Sequence, residues 1–256
     1  MDFIKKAWTQ QATTHGTSHS ASWNDIYAMQ LEIETIGKFI KKGDRVLDVG
    51  CANGYSTFSQ LSREPQEIIG VDYVEEMVAY ANEERQRNYS QANVSFKVGD
   101  IAKLDFQSNS FDVVYTTRVL INLPNWEQQQ QGIKECIRVA KPGGIVVLSE
   151  AFWEPLVKLN ALRTLASLPS LVEHDFNRYL KTKKLVKVLT DEGFNFEIIE
   201  FSSIYYLGSR FIRELINGLE DLENYQNKIN NQFFELEKLY DNANDFGIQK
   251  AFVIYK

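Results

Sequence analysis

The chain has 256 residues, 44% of them hydrophobic and 24% charged, enough for one sizeable core of a soluble globular type. Its net charge of −6 argues against a nucleic acid partner, because phosphate backbones are met by basic surfaces. No stretch approaches the ~20 apolar residues of a membrane span, and residues 1–6 lack the apolar core of a signal peptide, so a cytoplasmic protein is expected. The two cysteines, Cys51 and Cys136, have neither zinc nor disulfide spacing. His15, His19 and His174 form no helical metal pair, so no metal is expected either.

Helical and strand patterns alternate from residue 25 onward, the signature of a parallel α/β sheet. Residues 25–42 carry Ile26, Met29, Ile33, Ile36, Phe39 and Ile40 at helical spacing. A first strand is expected at 45–49, helices at 54–62 and 73–89, and strands at 67–71, 94–98 and 111–115. A helix at 126–140 is expected to stop at Lys141-Pro142-Gly143-Gly144, with a fifth strand at 145–149. Residues 152–180 read as an inserted helical segment, followed by a helix at 182–192 and a strand at 194–201. A second helical insertion spans 209–241, and the β-type run at 250–255 suits an antiparallel closing strand.

The most informative segment joins the first strand to a turn: Val46-Leu47-Asp48-Val49-Gly50-Cys51-Ala52-Asn53-Gly54. Val46, Leu47 and Val49 suit a strand covered on both faces, while Gly50 and Gly54 allow a tight turn where a ligand meets bare backbone. A dinucleotide-binding G-x-G-x-x-G would need Gly at 50, 52 and 55, where the chain has Gly50, Ala52 and Tyr55. The segment instead resembles motif I, D-x-G-x-G-x-G, of the class I S-adenosylmethionine (SAM)-dependent methyltransferases. Asp48, Gly50 and Gly54 match, and Ala52 departs by one methyl, which crowds the loop if position 52 needs positive φ.

That resemblance implies a three-layer, Rossmann-like α/β fold with a seven-stranded, mostly parallel sheet, an antiparallel last strand and helical insertions after strands 5 and 6. It further implies a single methyltransferase domain over 1–256, with an N-terminal helical lid (1–42), a SAM-binding core (43–150) and substrate-cap insertions at 151–181 and 209–241. The family's cofactor residues map onto Asp48, Gly50, Cys51, Ala52 and Gly54 of the first turn. Asp72, about 20 residues further on, suits the ribose diol, since a carboxylate accepts two hydrogen bonds from vicinal hydroxyls. It can also cap the next helix through Asp72-x-x-Glu75. Tyr73 and Met77 follow it; Asp100 and Ile101 take the adenine positions, and Thr117 and Arg118 those of the methionine end.

Methyl transfer needs alignment of donor and acceptor more than covalent help, and a hydroxyl acceptor also needs a proton acceptor. His174, between Glu173 and Asp175, and Glu150, just past strand 5, are the candidates. Arg163, Arg178, Tyr206 and Arg210 are substrate candidates, guanidiniums suiting a phosphate or carboxylate. Trp8, Trp23, Trp153, Tyr205, Tyr206 and Phe211 are expected to wall the pocket. The part after Gly144 bears a faint similarity to methyltransferases of sugar and surface-polysaccharide pathways. The expected activity is transfer of a methyl group to a hydroxyl or oxyanion of a sugar or phosphorylated metabolite, by a monomer or homodimer. Small-molecule N-methylation and a silent SAM-binding module are the alternatives.

Overall fold

A computed structural model describes residues 2–219, 224–240 and 245–256. Residues 220–223 and 241 of the expected second insertion lie outside the described residues. The elements run α1 (Asp2–His15), α2 (Ile26–Gly37), β1 (Arg45–Val49), α3 (Tyr55–Ser59), β2 (Glu67–Asp72), α4 (Glu75–Asn88), β3 (Val94–Val98), β4 (Phe111–Thr117), α5 (Trp126–Val139) and β5 (Ala140–Ala151). They continue with α6 (Trp153–Leu165), α7 (Thr182–Asp191), β6 (Asn195–Ile199), α8 (Ser203–Leu207), a π-helical turn at Gly208–Ile212, α9 (Arg213–Asn217), α10 (Lys228–Leu239) and β7 (Gln249–Tyr255).

Seven strands form one sheet in the order β3-β2-β1-β4-β5-β7-β6. All pairs are parallel except those of β7, which runs antiparallel between β5 and β6. The expected three-layer architecture is therefore present. Successive residues of a strand point to opposite faces, and here both faces are buried. Val46, Ile68, Val113 and Tyr115 enter one core, Leu47, Val49, Val71 and Val114 the other. That two-sided burial explains why β1, β2 and β4 read as nearly unbroken apolar runs.

Three local differences from the sequence reading have physical causes. The 141–144 segment does not separate helix from strand: Ala140 already pairs with Phe111, and pairing resumes at Ile145–Val113, so these residues bulge within β5 around Gly143 at φ 77°. The 152–180 insertion is helical only through α6, because Pro169 disfavours helix at Leu168 and removes a donor. The remainder is an irregular strap sewn down by backbone bonds, Arg178 N–H to Ile121 O (2.6 Å) and Leu180 N–H to Ala151 O (3.0 Å). Finally, the segment ahead of residue 25, outside the alternating pattern, contains a further helix, α1, that runs to His15.

Candidate functional site

The strand order reverses between β1 and β4, and in open α/β sheets ligands occupy the crevice beyond the strand ends at that point. A cavity of about 540 Å³ lies there, within the range of small-molecule sites. Gly50, Ala52, Asp72, Tyr73, Met77, Asp100, Ile101, Thr117 and Arg118 all line it. Trp23, beneath Arg118, also lines it, as do Tyr179, Tyr206, Arg210, Tyr225 and Gln249.

The turn after β1 is built from backbone constraints. Gly50 sits at φ 80°, and its N–H donates to Val71 O at 2.7 Å. A Cβ on Gly50 would come within 2.1 Å of Val119 Cγ2, a stiff β-branched side chain. Gly50→Ala is therefore expected to cost about 2–4 kcal/mol from positive-φ strain plus overpacking, read as a lower urea midpoint. Ala52 does adopt positive φ, 46°, the conformation in which its methyl is a burden. Asp72 holds it there: Oδ2 accepts from Ala52 N–H at 3.0 Å and Oδ1 from Val74 N–H at 2.9 Å. The latter bond falls one residue ahead of α4, so Asp72 braces the turn and does not form the capping box expected with Glu75. Burial pushes the Asp72 carboxyl up to about 6.

Asp48, Cys51 and Gly54 do not line the cavity and stand behind its wall. Asp48 is 1% exposed and accepts from Thr57 Oγ1 (2.6 Å) and Tyr115 O–H (2.8 Å); burial raises its carboxyl to about 7. Cys51 packs with Phe58 and Phe96, and Gly54 opens α3 at φ 82°. These residues shape the turn from beneath, correcting the direct cofactor contact expected of them.

Glu150 is likewise corrected. It is 0% exposed, away from the cavity wall, and Oε1 accepts from Thr116 Oγ1 and the backbone N–H groups of Val119 and Leu120, Oε2 from that of Ile121. It organises the turn after β4. Burial raises its carboxyl to about 7. His174 does line the cavity, with its ring stacked on Phe176 at 5.6 Å, but Glu173 accepts from Tyr179 N–H, away from that ring.

The arginines divide. Arg163 is buried between Pro169 O, Arg210 O and Glu214, and Arg178 turns to Asp175 O and Asn177 O; neither lines the cavity, which corrects their substrate roles. Arg118 and Arg210 line it with their charges already matched. Arg118, at φ 57°, donates from Nε to Glu32 at 3.2 Å and lies over Trp23, and Arg210 meets Asp25 at 2.6 Å between Tyr206 and Tyr225. Of the expected aromatic wall, Trp8, Trp23 and Tyr206 are present, whereas Trp153 is exposed, Phe211 lies off the cavity and Tyr205 is buried on Asp25. Sequence reasoning missed Glu32 and Gln249. A carboxylate on the apolar face of α2 was a readable signal for Glu32; Gln249 carried none.

Five cavity-lining residues keep a buried polar atom without a partner among the described residues: Tyr73 O–H, Thr117 Oγ1, Asn122 Oδ1, Asn177 Oδ1 and Gln249 Oε1. Together with apolar Met77 and Ile101 and the carboxylates of Asp72 and Asp100, they fit a ligand that is part flat ring, part polar chain. No group of three or more metal-ligating side chains occurs among the described residues, and no helix there is long and apolar enough to cross a membrane.

A family model described as a methyltransferase domain matches residues 40–232. The chain belongs to this family. It stands within the class I SAM-dependent methyltransferase superfamily. An uncharacterized methyltransferase of Schizosaccharomyces pombe is 39% identical over 120 residues, covering 44% of this chain and 42% of the relative. A demethylmenaquinone methyltransferase of Staphylococcus aureus is 36% identical over 113 residues, covering 43% and 44% respectively. The matches thus span under half the length of these relatives. Among solved structures, phosphoethanolamine N-methyltransferase 1 of Haemonchus contortus superposes with a TM-score of 0.64 at 16% identity, covering 99% of this chain and 48% of its own. Magnesium protoporphyrin IX methyltransferase of Synechocystis, with bound S-adenosylhomocysteine (SAH), gives 0.59 at 17%, covering 90% and 84%. These structures share the fold.

Proposed function

We propose that the chain transfers the methyl group of SAM to a hydroxyl of an uncharged small molecule. The observation that carries this reading is the single cavity joining the tips of β1, β2, β3 and β4 to an aromatic far end. When bound, SAM supplies a methyl already activated on a sulfonium. Asp72 would hold its ribose diol, Asp100 and Ile101 its adenine, and Thr117 and Arg118 its amino acid end. Ile4 and Trp8 of α1 cover this end of the cavity and exclude water, the role of an N-terminal lid.

Of the acceptors considered, a sugar-like or other neutral hydroxyl compound fits better than a phosphorylated metabolite. Arg163 and Arg178 are elsewhere, Arg210 is already neutralised by Asp25, and Arg118, paired through Nε with Glu32, is assigned to the amino acid end of SAM. Two relatives above carry small cyclic molecules in their names, demethylmenaquinone and magnesium protoporphyrin IX, which supports a small-molecule acceptor over nucleic acid. A cytoplasmic setting and a monomeric or homodimeric state accompany this reading.

His174 is the imidazole on the cavity wall and takes the role of proton acceptor for the hydroxyl. His174→Ala is expected to lower kcat at least tenfold with SAM affinity unchanged; an unaltered kcat would remove it from the chemistry. The reading as a whole is tested by calorimetry with SAM, SAH and NAD, followed by radiolabelled-methyl transfer into a polar cell extract. Binding of NAD without SAM overturns it, as does SAM binding with no methylated product.

A further inference from the structure

The sheet order divides the cavity. The residues assigned to the donor lie at or just beyond the ends of β1, β2, β3 and β4, whereas β5 and β7 bring Ala151 and Gln249 to the cavity. From β1 to β7 is three strand spacings, about 14 Å. Gln249 stands at the start of β7, paired in register with Ala151 at the end of β5, and both line the cavity. Its side chain is 1% exposed, yet Oε1 has no hydrogen-bond partner among the described residues.

The orientation of that amide is imposed from behind. Gln249 Nε2 donates to Glu32 Oε1 at 3.4 Å; the same oxygen accepts from Ser149 Oγ at 2.7 Å, and Glu32 Oε2 is held by Arg118. A carboxylate takes only donors, so the amide presents its N–H side to Glu32 and leaves its carbonyl oxygen for something else. The backbone is equally fixed: Ser202 Oγ donates to Gln249 O at 2.7 Å, and one turn above Ser202 stands Tyr206, a flat aromatic wall of the same cavity. A buried carbonyl left unpaired costs about 1–3 kcal/mol, so one carried by a cavity-lining residue favours a ligand that brings a donor.

We propose that Gln249 is a specificity-determining residue whose Oε1 accepts a hydrogen bond from a second hydroxyl of the acceptor molecule, distinct from the one that gives its proton to His174, restricting the enzyme to uncharged, ring-bearing hydroxyl compounds. The inference rests on the methyl-transfer reading above and names the acceptor class for that site. The paired states of Arg118 and Arg210 supply the charge selection: a second anion would compete with Glu32 or Asp25, and a cation would meet two guanidiniums.

The test uses SAH-loaded protein with 2-naphthol, its methyl ether 2-methoxynaphthalene and 2-naphthyl phosphate, followed by calorimetry. Wild-type protein is expected to bind 2-naphthol about tenfold more tightly than the ether and more tightly than the phosphate. Gln249→Leu and the shape-conserving Gln249→Met are both expected to abolish the preference for naphthol over the ether while SAH affinity stays within about twofold. The proposal is overturned by a wild-type protein without the preference, by variants that keep it, or by tighter binding of the phosphate. Failure of wild-type protein to bind SAH at all identifies instead a failure of the methyl-transfer reading.

Discussion

Asp72→Ala is expected to weaken SAM binding at least 100-fold, the largest effect on the cofactor of any single change in this site. Two losses combine. The variant removes the carboxylate assigned to the ribose hydroxyls, and it frees Ala52 N–H, whose 3.0 Å bond to Oδ2 holds the turn at positive φ. Charge-assisted hydrogen bonds contribute roughly 1.5–3 kcal/mol each and 1.4 kcal/mol is tenfold in affinity, so two orders of magnitude is a conservative sum. The carboxyl's elevation by burial to about 6 adds a pH signature. Ribose hydroxyls bind best to the ionised form, so affinity should fall about tenfold per unit as pH drops below about 6. Asp72→Asn should lose that dependence. Calorimetry across pH 5–8 reads both effects, and unchanged affinity in Asp72→Ala would remove the residue from the site.

Glu150→Ala is expected to destabilise the fold by about 3–5 kcal/mol, measured by urea unfolding. It strands three backbone donors and the Thr116 hydroxyl in a buried turn, each costing about 1–3 kcal/mol with partial recovery by water. Glu150→Gln keeps one carbonyl oxygen and should lose about 1–2 kcal/mol. The sign of the pH effect follows from the direction of the shift. Burial raises the folded carboxyl from 4.5 to about 7, so between those values the native state binds more protons than the unfolded state. Its contribution is then greatest below about pH 4.5 and declines by about 3 kcal/mol as pH rises through 7. Asp48, raised by burial to about 7, acts in the same direction. A slope that survives in Glu150→Gln undiminished would assign it elsewhere. A folded, equally stable Glu150→Ala without activity would restore the catalytic role that its burial denies.

Where the sequence succeeded, a local physical constraint was responsible. The turn after β1 was legible because positive φ at Gly50 and Gly54 and a two-sided strand before them leave few other residue choices. Asp72, Asp100, Thr117 and Arg118 were legible by rule, since parallel strands in an open sheet deliver their carboxyl ends to one crevice. The errors have a common origin. Glu150 and Asp48 are carboxylates at strand ends like Asp72, but side-chain direction alternates along a strand, and only the packed helices decide which face opens to a ligand.

The arginines show the same limit from another side. A guanidinium in an insertion reads as a ligand for phosphate until its partner is known, and Glu32, Asp25 and Glu214 are each far from their arginines in the chain. The chain alone thus determined the sheet and the glycine turn after β1, because these follow from short-range backbone geometry and hydrophobic period. Tertiary structure alone decided which charges are spent, that the strap after α6 is held down on Ile121 and Ala151, and that antiparallel β7 brings Gln249 beside β5. Those outcomes depend on long-range pairing and desolvation, which no local pattern of residues encodes.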